Sequence, residues 1–273
     1  MKQYVVAGGL ALAAAAMPSI GAAQSSASAS PHSFTGNLTV VSDYRFRGIS
    51  QTFKGPALQG GFDYSHASGF YLGNWNSNVS GVSFPNGASL EMDFYGGWKG
   101  EIGGGLTLDV GALYYLYPGT EINGANGARE NLNNGEVYLG LSWGPLTGKI
   151  HYSLTDYFGL NSNTTNFYVV PVARGGSRGT MYFNLAYSQE IMPKLTLGAS
   201  VGHTRFANYG VLDYTDYKVG VTYDLNGFLI GANVVGNTGL GAAGKAFYTG
   251  VNGVGTTKKL YSTTVVFSVG KTF

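Results

Sequence analysis

The sequence has no cysteine, and its 273 residues carry only 16 Lys+Arg and 14 Asp+Glu, a charged share of 11%. Without cysteine, neither disulfides nor thiolate metal centres can hold the fold. A soluble domain ordinarily carries about 25% charged residues, so this chain is short of the groups that coat a water-facing surface. A net charge of +2 provides no electrostatic footprint for nucleic acid. Past the N-terminus, no stretch approaches the roughly 18 apolar residues of a membrane-spanning helix. The four histidines, His32, His66, His151 and His203, stand at spacings that suit no metal site, so neither a metal nor a cofactor is expected.

Glycine, by contrast, is abundant, 44 of 273 residues against an ordinary share of about 7%. Tyr 20 and Phe 15 dominate an aromatic share of 14%, yet mean hydropathy is only +0.02. A transmembrane β-barrel has this composition. Half of its strand residues face lipid, half face the lumen, and glycine relieves crowding in the wall.

The first residues read as a targeting segment. Lys2 supplies a positive start, Val5 to Met17 is apolar and Ala-rich, and Gly21-Ala22-Ala23 before Gln24 fits a signal-peptidase site. Ala27-Ser28-Ala29 is a competing site. The apolar run is too short for a spanning helix. The expected organisation is a signal peptide over 1–23, a Ser/Ala-rich flexible lead-in over 24–34, and a barrel over 35–273.

From Leu38 onward, segments of about ten residues alternate apolar with polar or small side chains. Leu106, Leu108, Val110, Ala112, Tyr114 and Leu116 share one face, and so do Met181, Phe183, Leu185 and Tyr187. Twelve such segments are expected, at 35–48, 57–65, 69–76, 89–99, 106–117, 134–143, 146–156, 180–190, 195–205, 216–225, 228–236 and 259–273. The links between them alternate short and long. The short ones include Gly144-Pro145, Met192-Pro193 and the hairpin signal Asn226-Gly227. The long ones are 77–88, 118–133, 157–179, 206–215 and 237–258. Sorting of this kind marks the periplasmic and extracellular ends of an outer-membrane barrel, and an even strand count returns both termini to one side. At the short-turn end the lipid phase falls on Tyr64, Phe70, Trp98, Trp143, Tyr187, Tyr223, Phe228 and Phe273, an aromatic girdle at the interface.

The block Ser42-Asp43-Tyr44-Arg45-Phe46-Arg47-Gly48-Ile49-Ser50-Gln51-Thr52 resembles the N-terminal signature of the TorF family, whose members are assigned as outer-membrane porins. Glu91-Met92-Asp93-Phe94-Tyr95-Gly96-Gly97-Trp98, the stretches 136–143 and 152–159, and the C-terminal 265–273 are similar to that family too. The resemblance runs over essentially all of the mature chain and is most specific in the first block. It implies a single outer-membrane barrel with a pore role, and it carries no catalytic residue over to this chain.

Two motifs point elsewhere and fail on context. Gly198-Ala199-Ser200-Val201-Gly202 matches G-x-S-x-G, but Ser200 lies mid-strand, not at a strand-to-helix elbow. Gly239 to Lys245 reads G-x-x-x-x-G-K, but Ala246 takes the Ser/Thr position, and the stretch is expected to be a flexible outer loop. His203 shares a neighbourhood with Ser200 but faces the opposite side, whereas His151 falls on the lumen phase. No enzyme is expected.

With Tyr44 and Phe46 placed toward lipid, Asp43, Arg45 and Arg47 point into the lumen near its outer end. They read first as an internal ion-pair network with Asp63, Glu91 and Asp93, and second as a charged constriction. The remaining lumen-phase charges are Lys99, Asp109, Glu136, Lys149, Glu190, Lys218 and Asp224. Their excess of carboxylates points to a weak cation preference. Terminal Phe273 resembles the signal read by barrel-assembly machinery. The expected function is passive diffusion of small hydrophilic solutes through a narrow lumen; the alternative is a non-conducting structural or surface-interaction barrel. Expected partners are outer-membrane lipid, lipopolysaccharide facing the basic long loops, the assembly machinery and the solutes.

Overall fold

The computed structural model describes residues 30–84, 87–251 and 255–273. The expected signal segment and most of the lead-in lie outside them. Twelve strands build the wall. They are β1 (His32–Val41), β2 (Ala57–His66), β3 (Phe70–Asn78), β4 (Leu90–Gly103), β5 (Leu106–Leu116) and β6 (Asn134–Trp143), then β7 (Leu146–Ser153), β8 (Met181–Met192), β9 (Leu195–Arg205), β10 (Tyr214–Leu225), β11 (Phe228–Thr238) and β12 (Thr264–Thr272). Each pairs antiparallel with its chain neighbour, and β12 pairs back to β1 from Asn37↔Thr272 to Val41↔Ser268, so the barrel closes. Closure leaves no strand edge unpaired, which is the condition for backbone to cross hydrocarbon.

Period two puts one apolar stripe per strand outside. Phe62, Leu72, Leu139, Leu185, Val219 and Phe267 are exposed large apolar side chains, Phe267 at 61%. An apolar belt running round the whole barrel far exceeds the patch a soluble monomer leaves in water, so it faces lipid. Phe70, Trp143, Tyr223, Phe228 and Phe273 are exposed at the short-turn rim, and Tyr64, Trp98 and Tyr187 are partly exposed there. The short turns use the chemistry their sequences dictate. Asn226 and Gly227 both take positive φ, 53° and 88°, as a two-residue turn compatible with strand twist requires.

The inward phase explains the glycine and tyrosine content together. A Cβ on Gly111 would collide with the Tyr138 ring beside it, and one on Gly202 with the Tyr182 ring. Absent side chains thus make room for rings that lie flat against the lumen wall.

Two expectations are corrected. The first segment leaves the wall at Val41 and does not run to residue 48, and β1 begins at His32, three residues early. Tyr44 and Phe46 are therefore not lipid-facing; both are buried in the inner core. The stretch from Gly239 also differs, because a short helix, α1 (Ala242–Phe247), follows β11 through it. It is still no phosphate loop, since Gly244 and Lys245 lie inside the helical turns and Ala246 carries no hydroxyl.

Candidate functional site

Residues 42–56, between β1 and β2, fold back into the long-loop end of the lumen. Arg45↔Ser50 and Phe46↔Ile49 pair as a small hairpin. Arg47 and Gly48 form its tip at φ 44° and 80°, a turn that glycine and asparagine favour and arginine resists by about 1–2 kcal/mol. The hairpin is tied internally. Arg45 lies 2.6 Å from Asp43, and its Nη1 donates to the carbonyls of Gly48, Leu260 and Ser262 at 3.2, 2.9 and 3.0 Å. Ser50 Oγ donates to the same Asp43 carboxylate at 2.6 Å.

The tip is tied to the opposite wall. Arg47 Nη2 donates to both oxygens of Glu136 on β6, at 3.1 and 2.9 Å, and Nη1 donates to Tyr157 Oη at 2.8 Å. Its guanidinium lies over the Tyr182 ring of β8, 4.1 Å from the centroid, where desolvation strengthens a cation–π contact. His151 Nδ1 sits 3.0 Å from Glu136 Oε2, and Asn134 Nδ2 donates to Oε1 at 3.2 Å. Tyr44 donates to Glu91 at 3.0 Å and meets Trp75 edge-on; Phe46 does the same to Tyr115. Gly48 abuts β10 and β11, where a Cβ would come within 2.9 Å of Asp216 and 2.7 Å of the Gly236 carbonyl. The hairpin thus touches wall strands on every side. Glu91 and Asp93 have 0% exposure beneath it, and Glu136 has 2%.

The ion-pair partners are accordingly Asp43 for Arg45 and Glu136 for Arg47, and not the expected Asp63, Glu91 and Asp93. Asp63 lies lower and accepts a bond from Tyr95 Oη at 2.5 Å. Both carboxylate oxygens of Asp93 are buried without a hydrogen-bond partner. In the lower lumen Lys149 pairs with Asp109 at 2.9 Å, Tyr71 Oη donates to the same carboxylate at 2.6 Å, and Lys99 stands opposite Asp109 in the strand register. Lys218 is on the facing wall, opposite Ser200. Glu190 and Asp224 sit at the short-turn rim, where they accept the amides of Lys194 at 3.0 Å and Gly227 at 2.6 Å.

Asp216 escaped the sequence reading, although it shares the phase of Lys218 and Asp224; it is buried and accepts from Tyr182 Oη at 3.2 Å. Outside the wall strands, burial pushes the Tyr157 hydroxyl above the ordinary tyrosine range against the pull of Arg47. Partial burial, then the neighbouring Arg45 charge, lowers the Lys54 ammonium. Among the described residues no group of three or more His, Asp and Glu is placed to hold a metal ion. His203 is exposed on the outer face and bonds Thr215, away from Ser200.

The chain belongs to the family described as "Bacterial protein of unknown function (Gcw_chp)", which it matches over residues 25–273. It matches no curated protein. Among solved structures it is similar to the KdgM porin, with 9% identity over 88% of this chain and 98% of that one and a TM-score of 0.49. It is also similar to the NanC porin, with 11% identity over 88% and 99% and a TM-score of 0.47. A Pseudomonas aeruginosa FadL homologue is 12% identical over 89% of each chain, with a TM-score of 0.44.

Proposed function

We propose that this member of the family is an exported outer-membrane barrel that passes small hydrophilic solutes through a narrow lumen, its outer mouth closed by the 42–56 hairpin. The first-block resemblance to the TorF family and the Lys2-led N-terminal segment support that location and role. One observation carries the reading: the block is an inserted segment tethered at both ends, not wall side chains. Barrels of eight strands are filled by their own side chains, whereas those of 16–18 leave a wide channel. In this barrel of twelve, the inner face of β9 to β12 below the hairpin presents Gly198, Ser200, Gly220, Thr222, Gly231 and Ser268, a small polar lining compatible with solute passage. At the long-loop end Arg174, Arg178 and Lys245 stand ready for lipopolysaccharide phosphates, while Lys258 turns inward to the Phe53 carbonyl.

Complete burial of Glu91 and Asp93 under the hairpin favours a second reading, a non-conducting surface barrel. Planar-bilayer recording separates the two. The refolded full chain is expected to show rare, small steps, and a variant with residues 44–51 replaced by a Gly/Ser linker frequent, larger ones. Silence from both proteins, each with a heat-dependent gel shift as proof of folding, would establish the non-conducting reading.

A further inference from the structure

Between the hairpin and the long loops lies a cavity of about 330 Å³. Its floor is Phe46, Ile49 and Ser50 of the hairpin, and its sides come from the links that follow β3, β5, β7, β9 and β11. Half of its described lining residues are aromatic, and none carries a charge. The rings are joined edge to face. Phe247 meets Phe167 at 5.6 Å and Tyr248 at 4.7 Å between centroids, Tyr248 meets Tyr214 at 6.1 Å, and Phe206 meets Tyr157 at 5.2 Å.

We propose that this cup is a binding site for an uncharged aromatic small molecule of one or two rings. The volume lies at the lower end of small-molecule pockets, roughly 300–1,000 Å³, which restricts ring number. An aromatic collar offers faces and edges to a flat ligand. A charged ligand would be desolvated there without a counter-charge. A sugar needs paired polar side chains for its vicinal hydroxyls, but the described lining has no Asn, Asp, Glu, Arg or His, only Gln51, two serines, a threonine and the tyrosine hydroxyls. Of those hydroxyls, Tyr157 is engaged by Arg47 and Tyr168 by the Phe158 carbonyl.

The proposal rests on the barrel reading only for the side from which the ligand arrives, and its test does not depend on conduction. The full chain in nanodiscs, open to solvent on both faces, is dialysed against labelled indole, with empty nanodiscs subtracting lipid partition. Saturable one-to-one uptake is expected, at least tenfold weaker for the indole-3-acetate anion, and not displaced by maltose. Phe247→Ala removes one wall ring and Ala246→Asp adds a charge beside it; each is expected to weaken indole at least tenfold while the heat-dependent gel shift persists. Uptake equal to empty discs, displacement by maltose, or undiminished binding by folded Ala246→Asp would overturn it. Should Phe247→Ala fail to fold, Phe167→Ala tests the same collar.

Discussion

Arg47 and Glu136 are buried charges, at 9% and 2% exposure, that exist as ions because they hold each other. Taking two charges out of water costs several kcal/mol per ion, and only close pairing with further hydrogen bonds offsets it. Glu136 has those bonds from Arg47, His151 and Asn134. Removing either partner strands the other, so Arg47→Ala and Glu136→Gln are each expected to cost about 3–5 kcal/mol in urea unfolding from lipid vesicles. The double variant should cost clearly less than the sum of the two, because neither orphan remains. Asp93 supplies the contrast. Its carboxylate has no partner to strand, so Asp93→Asn is expected to change stability by no more than about 1 kcal/mol. A cost for Asp93→Asn equal to that of Glu136→Gln would mean that Asp93 also pairs with a cation.

The wall strands were legible in the sequence because a strand buried on one face and lipid-bathed on the other writes its period directly into side-chain type. The hairpin was not, and for the same reason. Asp43, Arg45 and Arg47 alternate with Tyr44 and Phe46 just as a lumen/lipid pattern does, but the apolar phase is buried against Trp75 and Tyr115 inside. The break is a backbone event at Arg47-Gly48, and an arginine at positive φ is not what a turn signal looks like. The partner that fixes it, Glu136, is 89 residues away, beyond any local pattern. Within the wall, phase has a measurable consequence. Val110 faces out mid-β5, between Asp109 and Gly111 which face in; Asp109 bonds Lys149 and Gly111 packs under Tyr138. Val110→Arg is expected to cost about 2–4 kcal/mol in refolding equilibria, the penalty of a cation at the bilayer midplane. Thr222→Arg on the lumen face of β10 should cost less than half of that, and equal costs would show the phase to be inverted.

At the scale of the whole barrel, Phe273 adds one more backbone pair to the seam that closes it. The Phe273 amide and carbonyl bond both backbone groups of Gly36, at 2.9 and 2.7 Å, and its ring covers the place where a Gly36 side chain would stand. Deleting Phe273 is expected to lower the outer-membrane level and weaken the heat-dependent gel shift, whereas Phe273→Tyr should retain both. On the channel reading proposed above, the charges inside the closed barrel would set its selectivity. Arg45 is neutralised by Asp43, Arg47 by Glu136 and Lys149 by Asp109, and Glu91 and Asp93, wholly buried with no cation beside them, are not counted. That leaves Lys99 and Lys218 against Asp63, Asp216 and the rim carboxylates Glu190 and Asp224. Wall charge sets the local counter-ion concentration, so any current through the intact chain should favour cations weakly. Replacing 44–51 removes Arg45 and Arg47 while Glu136 stays, so the preference should strengthen in that variant. It should fade as salt rises, because the screening length falls from about 10 Å at 0.1 M to about 3 Å at 1 M. Reversal potentials across a KCl gradient measure this directly. Anion selectivity in the linker variant would mean that loop cations such as Arg174 and Arg178 swing into the opened mouth and govern it.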